Sequence, residues 1–220
     1  MAPTDARERY SALVGTYDRR TRRIQGWRDR AVDRLLLTPG QMVLDFPCGT
    51  GAGFPLINQY VGQKGRLVGV DASPDMLEVA RSRIDRHGWS NVALVGMAVQ
   101  DPRLPARLAE LAPEGLDAAV CAFGHDVLQM PDALRAVLAA VRPGARVVAV
   151  GAKWAPPWAV PVNIVVRMRA RPYVSTFRGF AQPWRHLEEI IGPMRVEISR
   201  SQAVYVATGT VPAGLNGNRG

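Results

Sequence analysis

After Pro39-Gly40 the chain alternates short runs rich in Val, Leu and Ala with segments of helical period. The runs are Met42–Phe46, Arg66–Val70, Val92–Val95, Ala118–Ala122 and Arg146–Val150. Between them lie Gly51–Tyr60, Pro74–His87, Leu104–Leu111 and Pro131–Val141, which predict helices. Nearly continuous apolar runs, rather than strict alternation, mark strands buried on both faces, as in a parallel sheet covered by helices. The pattern therefore predicts an open, doubly wound α/β sheet. Residues 5–37 add an N-terminal helical segment, broken near Gly15 and softened at Gly26. Met194–Ser201 and Ala203–Thr208 have almost no connection between them, so they are expected to pair as an antiparallel hairpin.

One stretch carries chemistry. In Val43-Leu44-Asp45-Phe46-Pro47-Cys48-Gly49-Thr50-Gly51 an apolar strand runs into a carboxylate, then a tight glycine-containing loop, then a helix. Open α/β sheets bind ligands beyond the carboxyl ends of their strands, which makes this loop the default site. Gly49 and Gly51 carry no side chains, so a ligand can lie against the backbone there. Asp71 closes the next strand, where an acid can accept hydrogen bonds from two ribose hydroxyls. The competing reading is that Asp71 caps the helix starting at Pro74 and the glycines only turn the chain. Taken together and in this order, the motifs favour a nucleoside ligand. A dinucleotide calls for G-x-G-x-x-G facing a pyrophosphate. Asp45 would repel a pyrophosphate, whereas it suits a cation such as the amine or sulfonium of S-adenosylmethionine.

Three blocks together resemble the successive motifs of class I S-adenosylmethionine-dependent methyltransferases. They are Asp45…Gly49-Thr50-Gly51, Gly69-Val70-Asp71-Ala72-Ser73-Pro74-Asp75-Met76-Leu77 and Leu134…Val141-Arg142-Pro143-Gly144-Ala145. The likeness covers about residues 10–152 and is greatest to the UbiE-like (ubiquinone/menaquinone-biosynthesis) branch; Tyr17-Asp18, Trp27-Arg28 and Phe123-Gly124 add to it. It implies a Rossmann-like, mostly parallel seven-stranded sheet ending in an antiparallel hairpin, with a cap inserted after the fifth strand. The implied layout is one methyltransferase domain over 1–220. It comprises a lid (1–37), a cofactor-binding core (41–151), a substrate cap (152–185), a C-terminal helix and hairpin (186–209) and a tail (210–220).

The resemblance also implies the site residues, with S-adenosylmethionine as cofactor. Asp45, Gly49 and Gly51 would hold the methionine portion, and Asp71 the ribose hydroxyls. Ala72 and Met76 would lie on one adenine face and Met97-Ala98 on the other. Ala122-Phe123 would lie beneath the sulfonium, and Tyr17 would close over the cofactor. Three positions depart from the family: Pro47 replaces the first loop glycine, Met97 stands where Asp is usual, and Pro143-Gly144-Ala145 replaces Pro-Gly-Gly.

Methyl transfer needs a base only where the nucleophile must lose a proton. His125, in Ala122-Phe123-Gly124-His125-Asp126 beyond the fourth strand, is the candidate base or substrate-orienting group, against the alternative that it caps a helix or fills the pocket wall. The UbiE-like pattern has no histidine there.

Composition and charge refine this picture. The two cysteines, Cys48 and Cys121, sit far apart in apolar runs, which argues against a disulfide or a cysteine metal site; no metal is expected. Met1–Arg9 shows no secretory signal, and Ala155–Val166 is proline-interrupted and too short to span a bilayer, so a cytoplasmic protein is expected. The net charge of +9 is carried almost wholly by arginine, since only Lys64 and Lys153 are lysines. GC-rich codon usage would produce such a skew; so would an anionic partner. The excess sits at residues 1–34 and at 154–187, the second holding five arginines and no acid.

In the cap, Trp154, Trp158, Tyr173, Phe177, Phe180 and Trp184 interleave with Arg167, Arg169, Arg171, Arg178 and Arg185. These suit an apolar acceptor bearing an anionic group, or a lipid at a membrane surface. A core-packed helical hairpin with a basic outer face is the plainer alternative. Nucleic acid ranks lower, because Val160–Val166 is too apolar for a phosphate track. The expected function is methylation of a small or lipid-like acceptor, with peripheral membrane contact and a homodimer both admitted. The rivals are an RNA methyltransferase and a protein of this fold that binds S-adenosylmethionine without transferring methyl, as a cyclase or binding module.

Overall fold

Seven strands form one sheet in the order β3-β2-β1-β4-β5-β7-β6 in the computed structural model, which describes residues 22–215. The strands are β1 (Met42–Asp45), β2 (Arg66–Val70), β3 (Val92–Val95), β4 (Leu116–Ala122), β5 (Val141–Ala152), β6 (Arg195–Ile198) and β7 (Val204–Thr210). Strands β1 to β5 are mutually parallel; β7 runs antiparallel to β5 and pairs with β6 as the expected hairpin. A short 3-10 turn (Arg22–Ile24) leads into α1 (Gln25–Leu35). The crossovers and connections carry α2 (Phe54–Val61), α3 (Pro74–His87), α4 (Leu104–Leu111), α5 (His125–Leu128), α6 (Pro131–Leu138), α7 (Val160–Ala170) and α8 (Arg185–Ile191).

Alternation along buried strands explains the two helical layers. Val43, Leu67, Ala118, Val120, Val148 and Val150 pack on one face with Ala31, Val32 and Leu35 of α1, Phe54, Ile57 and Val61 of α2 and Leu77 and Ala80 of α3. Leu44, Val68, Ala119, Cys121, Val147 and Ala149 turn to the other face, under α4, α6 and α8. Both faces are apolar because both are covered, which is why the strands read as continuous runs. Each fully buried Val or Leu contributes about 1.5–3 kcal/mol to this core.

Gly69, mid-sheet in β2, shows how closely the layer packs: an added Cβ would lie 2.7 Å from Phe54 Cζ and 3.1 Å from both Cys48 Sγ and Leu94 Cδ2. Gly69→Ala is expected to destabilise the fold by about 1–3 kcal/mol through overpacking, measured as a lowered urea midpoint at unchanged slope.

The strand boundary that departs furthest from the pattern is the start of β5. α6 ends at Leu138, and β5 begins at Val141, which pairs with Leu116 before a register shift; pairing resumes at Ala118 with Arg146. The intervening Pro143-Gly144 is an irregularity within the strand, with Gly144 at φ +81° and its N–H bonded to Val211 O. The cap is one helix, α7, followed by an irregular strap to Trp184, not a helical hairpin. Tyr17 and most of the expected lid lie outside the described residues; α1 is the described part.

Candidate active site

The strand order reverses between β1 and β4, and the loops at their carboxyl ends meet there. The β1 loop is strung between its neighbours: Phe46 N–H donates to Val120 O of β4, and Cys48 N–H to Val70 O of β2. Pro47 follows a cis peptide bond, the proline-compatible path this loop takes. Gly49 and Gly51 have φ of +54° and +69°, the left-handed region that glycine alone enters freely. A Cβ on Gly51 would strike the Phe54 ring, whereas one on Gly49 would project into open space. Gly51 is therefore held by packing, and Gly49 leaves room for a ligand.

Asp71 is not the helix cap. Ser73 caps α3, its Oγ accepting from Met76 N–H, while Asp71 joins two loops by accepting from Gly49 N–H at 2.8 Å and Ser73 N–H at 2.9 Å. Burial raises its pKa and the backbone donors oppose that rise. An ionised carboxylate has about four lone-pair sites, so acceptor capacity remains on both oxygens.

Asp45, at the end of β1, is 3% exposed, and its Oδ1 is buried without a hydrogen-bond partner. Burial pushes its pKa up to about 8, against the pull of the Arg28 charge and with the repulsion of Asp71 adding to the rise. Arg28, itself buried on α1, places its guanidinium 5.1 Å from the centre of the Phe123 ring. The pairing of Arg28 with the strand ends was not legible in sequence, because α1 is far from β1 and β4 along the chain.

Phe123 adopts φ +59°, a strained conformation for a bulky residue, with its N–H on Val150 O. The next residue explains it. A Cβ on Gly124 would fall 2.4 Å from Pro47 Cδ, so the β4 loop lies directly on the β1 loop and carries Phe123 and His125 to the site. Met76 is buried at the start of α3, Ala72 is exposed, and Met97 and Ala98 are half-buried beyond β3. Met97, half-buried, packs against the edge of the core layer that holds α4 and α6, in place of the acid usual in the family.

Beyond Phe123 and His125 opens a cavity of about 970 Å³. Val162, Val165, Val166 and Met168 of α7, Val174 and Phe180 of the strap, and Val204 and Tyr205 of β7 give it an apolar lining. Gly151 makes room for Tyr205 opposite it: an added Cβ would stand 3.2 Å from that ring. The β7 contribution was missed in sequence, since only the antiparallel return of the last strand brings it there.

The strap is fixed by α5. Ser175 N–H donates to the Asp126 carboxylate, and Trp154 N–H to Phe180 O. His125 Nε2 lies 3.1 Å from Arg178 O; a carbonyl only accepts, so Nε2 carries the proton and the lone pair is on Nδ1. That Nδ1 is buried with no partner, and burial lowers the pKa of the ring, opposed by Asp126 and the strap carbonyls. Phe180 meets the ring edge-on at 4.8 Å.

Of the five cap arginines only Arg169 lines the cavity, joined by Arg23 from before α1. Arg167, Arg171, Arg178 and Arg185 are exposed, which corrects the expectation that the cap arginines enclose an acceptor. Trp154 stacks on Phe177, Phe180 meets Phe177 edge-on and lies tilted to Trp154, and Trp158 stands in solvent. Cys48 and Cys121 are both free and buried. Among the described residues no group of three or more His, Cys, Asp or Glu is placed to hold a metal ion.

Residues 43–144, from β1 through the β5 irregularity, match the family described as methyltransferase domain. The match takes in the strand ends and loops that carry the candidate site. Among its relatives is a 2-phytyl-1,4-naphtoquinone methyltransferase of Thermosynechococcus vestitus, 34% identical over 124 residues, 54% of this chain and 50% of the relative. Another is aklanonic acid methyltransferase DauC of a Streptomyces species, 32% identical over 108 residues, 49% of this chain and 45% of the relative. The chain thus spans about half the length of the curated relatives it matches. A crystal structure of a SAM dependent methyltransferase from Aquifex aeolicus superposes with a TM-score of 0.62 at 18% identity, over 91% of this chain and 98% of that one. The chain therefore has the Rossmann-like fold of that methyltransferase, as its motifs implied, and the naphtoquinone methyltransferase among its relatives accords with the UbiE-like resemblance. S-adenosylmethionine fits the residues present: an unpartnered buried carboxylate oxygen on Asp45, open space over Gly49, and spare acceptor capacity on Asp71.

Proposed function

We propose that this chain transfers a methyl group from S-adenosylmethionine to a small apolar acceptor seated under α7. The observation that carries the reading is the shared wall: Phe123 and His125 line the apolar cavity, and Gly124 packs them against the β1 loop. Asp45 receives the methionyl ammonium, Gly49 and Gly51 allow close approach, and Asp71 accepts from the ribose hydroxyls. Ala72 and Met76 flank adenine on one side and Met97 and Ala98 on the other. Ala122 and Phe123 sit under the sulfonium. The cofactor, when bound, supplies an already activated methyl group. The chain aligns the acceptor with it, and alignment of this kind can lower the barrier by roughly 7–11 kcal/mol. His125 Nδ1 takes the proton of an acceptor hydroxyl or acidic carbon. The phytyl-naphtoquinone and aklanonic acid named for two relatives are small molecules of the kind such a cavity suits.

The test uses the full chain. S-adenosylhomocysteine should raise the melting temperature and NADPH should not. With methyl-labelled S-adenosylmethionine and cell extract, label should enter the organic-soluble fraction. Label recovered in RNA, or cofactor bound with no labelled product, would overturn the reading.

A further inference from the structure

The cap helix is wrapped on one side only. Val162, Val166 and Ala170 of α7 turn inward to Phe180 and Ala203. Outward, Trp158 is 77% exposed, Val160 56%, Ile164 54%, Val165 45% and Met168 70%. No other segment among the described residues gathers so many exposed large apolar side chains. At about 100° per residue, Val160, Ile164 and Met168 form one stripe, with Pro161 and Val165 beside it. Arg167 falls on one edge of this stripe and Arg169 on the other, and Arg171 follows at the helix end. Among the described residues none of Arg167, Arg169, Arg171 and Arg178 pairs with a carboxylate, and residues 154–187 contain no acid at all.

An apolar stripe edged by arginines is how a helix lies in the interface of a bilayer, with its stripe at the acyl boundary and its guanidinium groups at the headgroups. At eleven residues α7 can lie on a membrane but cannot cross it, and among the described residues no helix is long and apolar enough to do so. The unrelieved positive charge selects the surface: anionic lipid. A Trp at the edge of the patch suits the same interface.

We infer that α7 and Trp158 dock this chain on an anionic membrane surface. Val165 and Met168 belong both to the exposed stripe and to the cavity lining, so the docked face opens the cavity towards the lipid. An apolar acceptor then enters from the bilayer without crossing water, a consequence that rests on the methyltransferase reading; the docking itself does not.

Sedimentation of the full chain with vesicles tests the inference. The chain should pellet with phosphatidylcholine vesicles containing about a third phosphatidylserine and stay largely in solution with phosphatidylcholine alone. Arg167→Gln and Arg171→Gln should weaken partitioning about fivefold each, an effect that added salt mimics. Trp158→Ser with Ile164→Ser should weaken it roughly tenfold or more. Both pairs avoid the cavity lining and should keep the S-adenosylhomocysteine thermal shift. A parent that does not pellet with anionic vesicles overturns the inference. So do variants that pellet as the parent does, or an apolar double variant that only converts a dimer to a monomer, which would give the face to a second copy. Loss of the thermal shift in the parent would instead count against the function proposed above and leave the vesicle result to decide the docking face.

Discussion

Asp45→Asn is expected to make the free protein more stable at pH 8–9 and a poorer ligand for S-adenosylmethionine. The stability effect follows from burial. Asp45 is held at a pKa of about 8, whereas an unfolded chain releases that proton near 3.8. Between these values the folded state keeps a proton that the unfolded state has lost, so stability falls as pH rises through the window and levels off above it. Asparagine cannot ionise and removes the slope. Melting temperatures of parent and variant should differ least below about pH 4 and diverge steadily up to about pH 8, with the variant higher. Binding runs the other way. The methionyl ammonium favours ionised Asp45, so its binding to the parent releases a proton and tightens with pH up to about 8. Calorimetry in buffers of different ionisation enthalpy reads that proton. In the variant the charge-assisted hydrogen bond is gone, and affinity should fall about 10- to 150-fold. Equal affinity in parent and variant would remove Asp45 from the site.

The same residue shows why the candidate cofactor loops were legible in sequence and the apolar cavity beside them was not. The strands that end at Asp45 and Asp71 are buried on both faces, and their positions follow from composition alone. Their loops contain glycines that the turn requires, so chemistry and geometry fall in one contiguous stretch. The apolar cavity has no such stretch. Its walls come from the 3-10 turn before α1, the β4 loop, the end of β5, α7, the strap and β7, brought together by contacts of long sequence separation. The strap has no periodicity because it is held by Asp126 on Ser175 N–H and by His125 on Arg178 O, bonds that leave no pattern in its own residues. β5 began early for a similar reason: Pro143-Gly144 reads as a break, yet Val141 is paired before it. Charge misled in a different way. Arginines beside aromatics suggested a cationic pocket wall, but Trp154, Phe177 and Phe180 turn inward to pack on His125 and each other, and all the arginines but Arg169 turn away from the cavity. Within residues 154–187 the positive charge, Arg169 apart, therefore belongs to a surface rather than to the cavity.

His125→Ala should lower turnover by about 10²–10⁴-fold while leaving the affinity for S-adenosylmethionine within a few fold of the parent. The separation is the informative part. His125 lines the apolar cavity and its ring is tied to the strap, so its loss removes nothing from the Asp45, Gly49 and Asp71 cradle. A purely structural role would behave differently: without the ring the strap loses a tie at Arg178 O and an edge contact to Phe180, and KM for the acceptor would rise with turnover little changed. His125→Gln divides the two cases, since its side-chain amide can donate to the same carbonyl but cannot take a proton. Restored KM with turnover still low assigns the base to Nδ1; recovery of both assigns His125 to the strap. The pH profile supplies a third reading. Burial lowers the pKa of His125 below the usual histidine value, so the ring is neutral at pH 7 and activity should persist below pH 6.5 before protonation removes the lone pair. That acid limb should vanish in the alanine variant. A limb unchanged by the substitution would show that another group takes the proton.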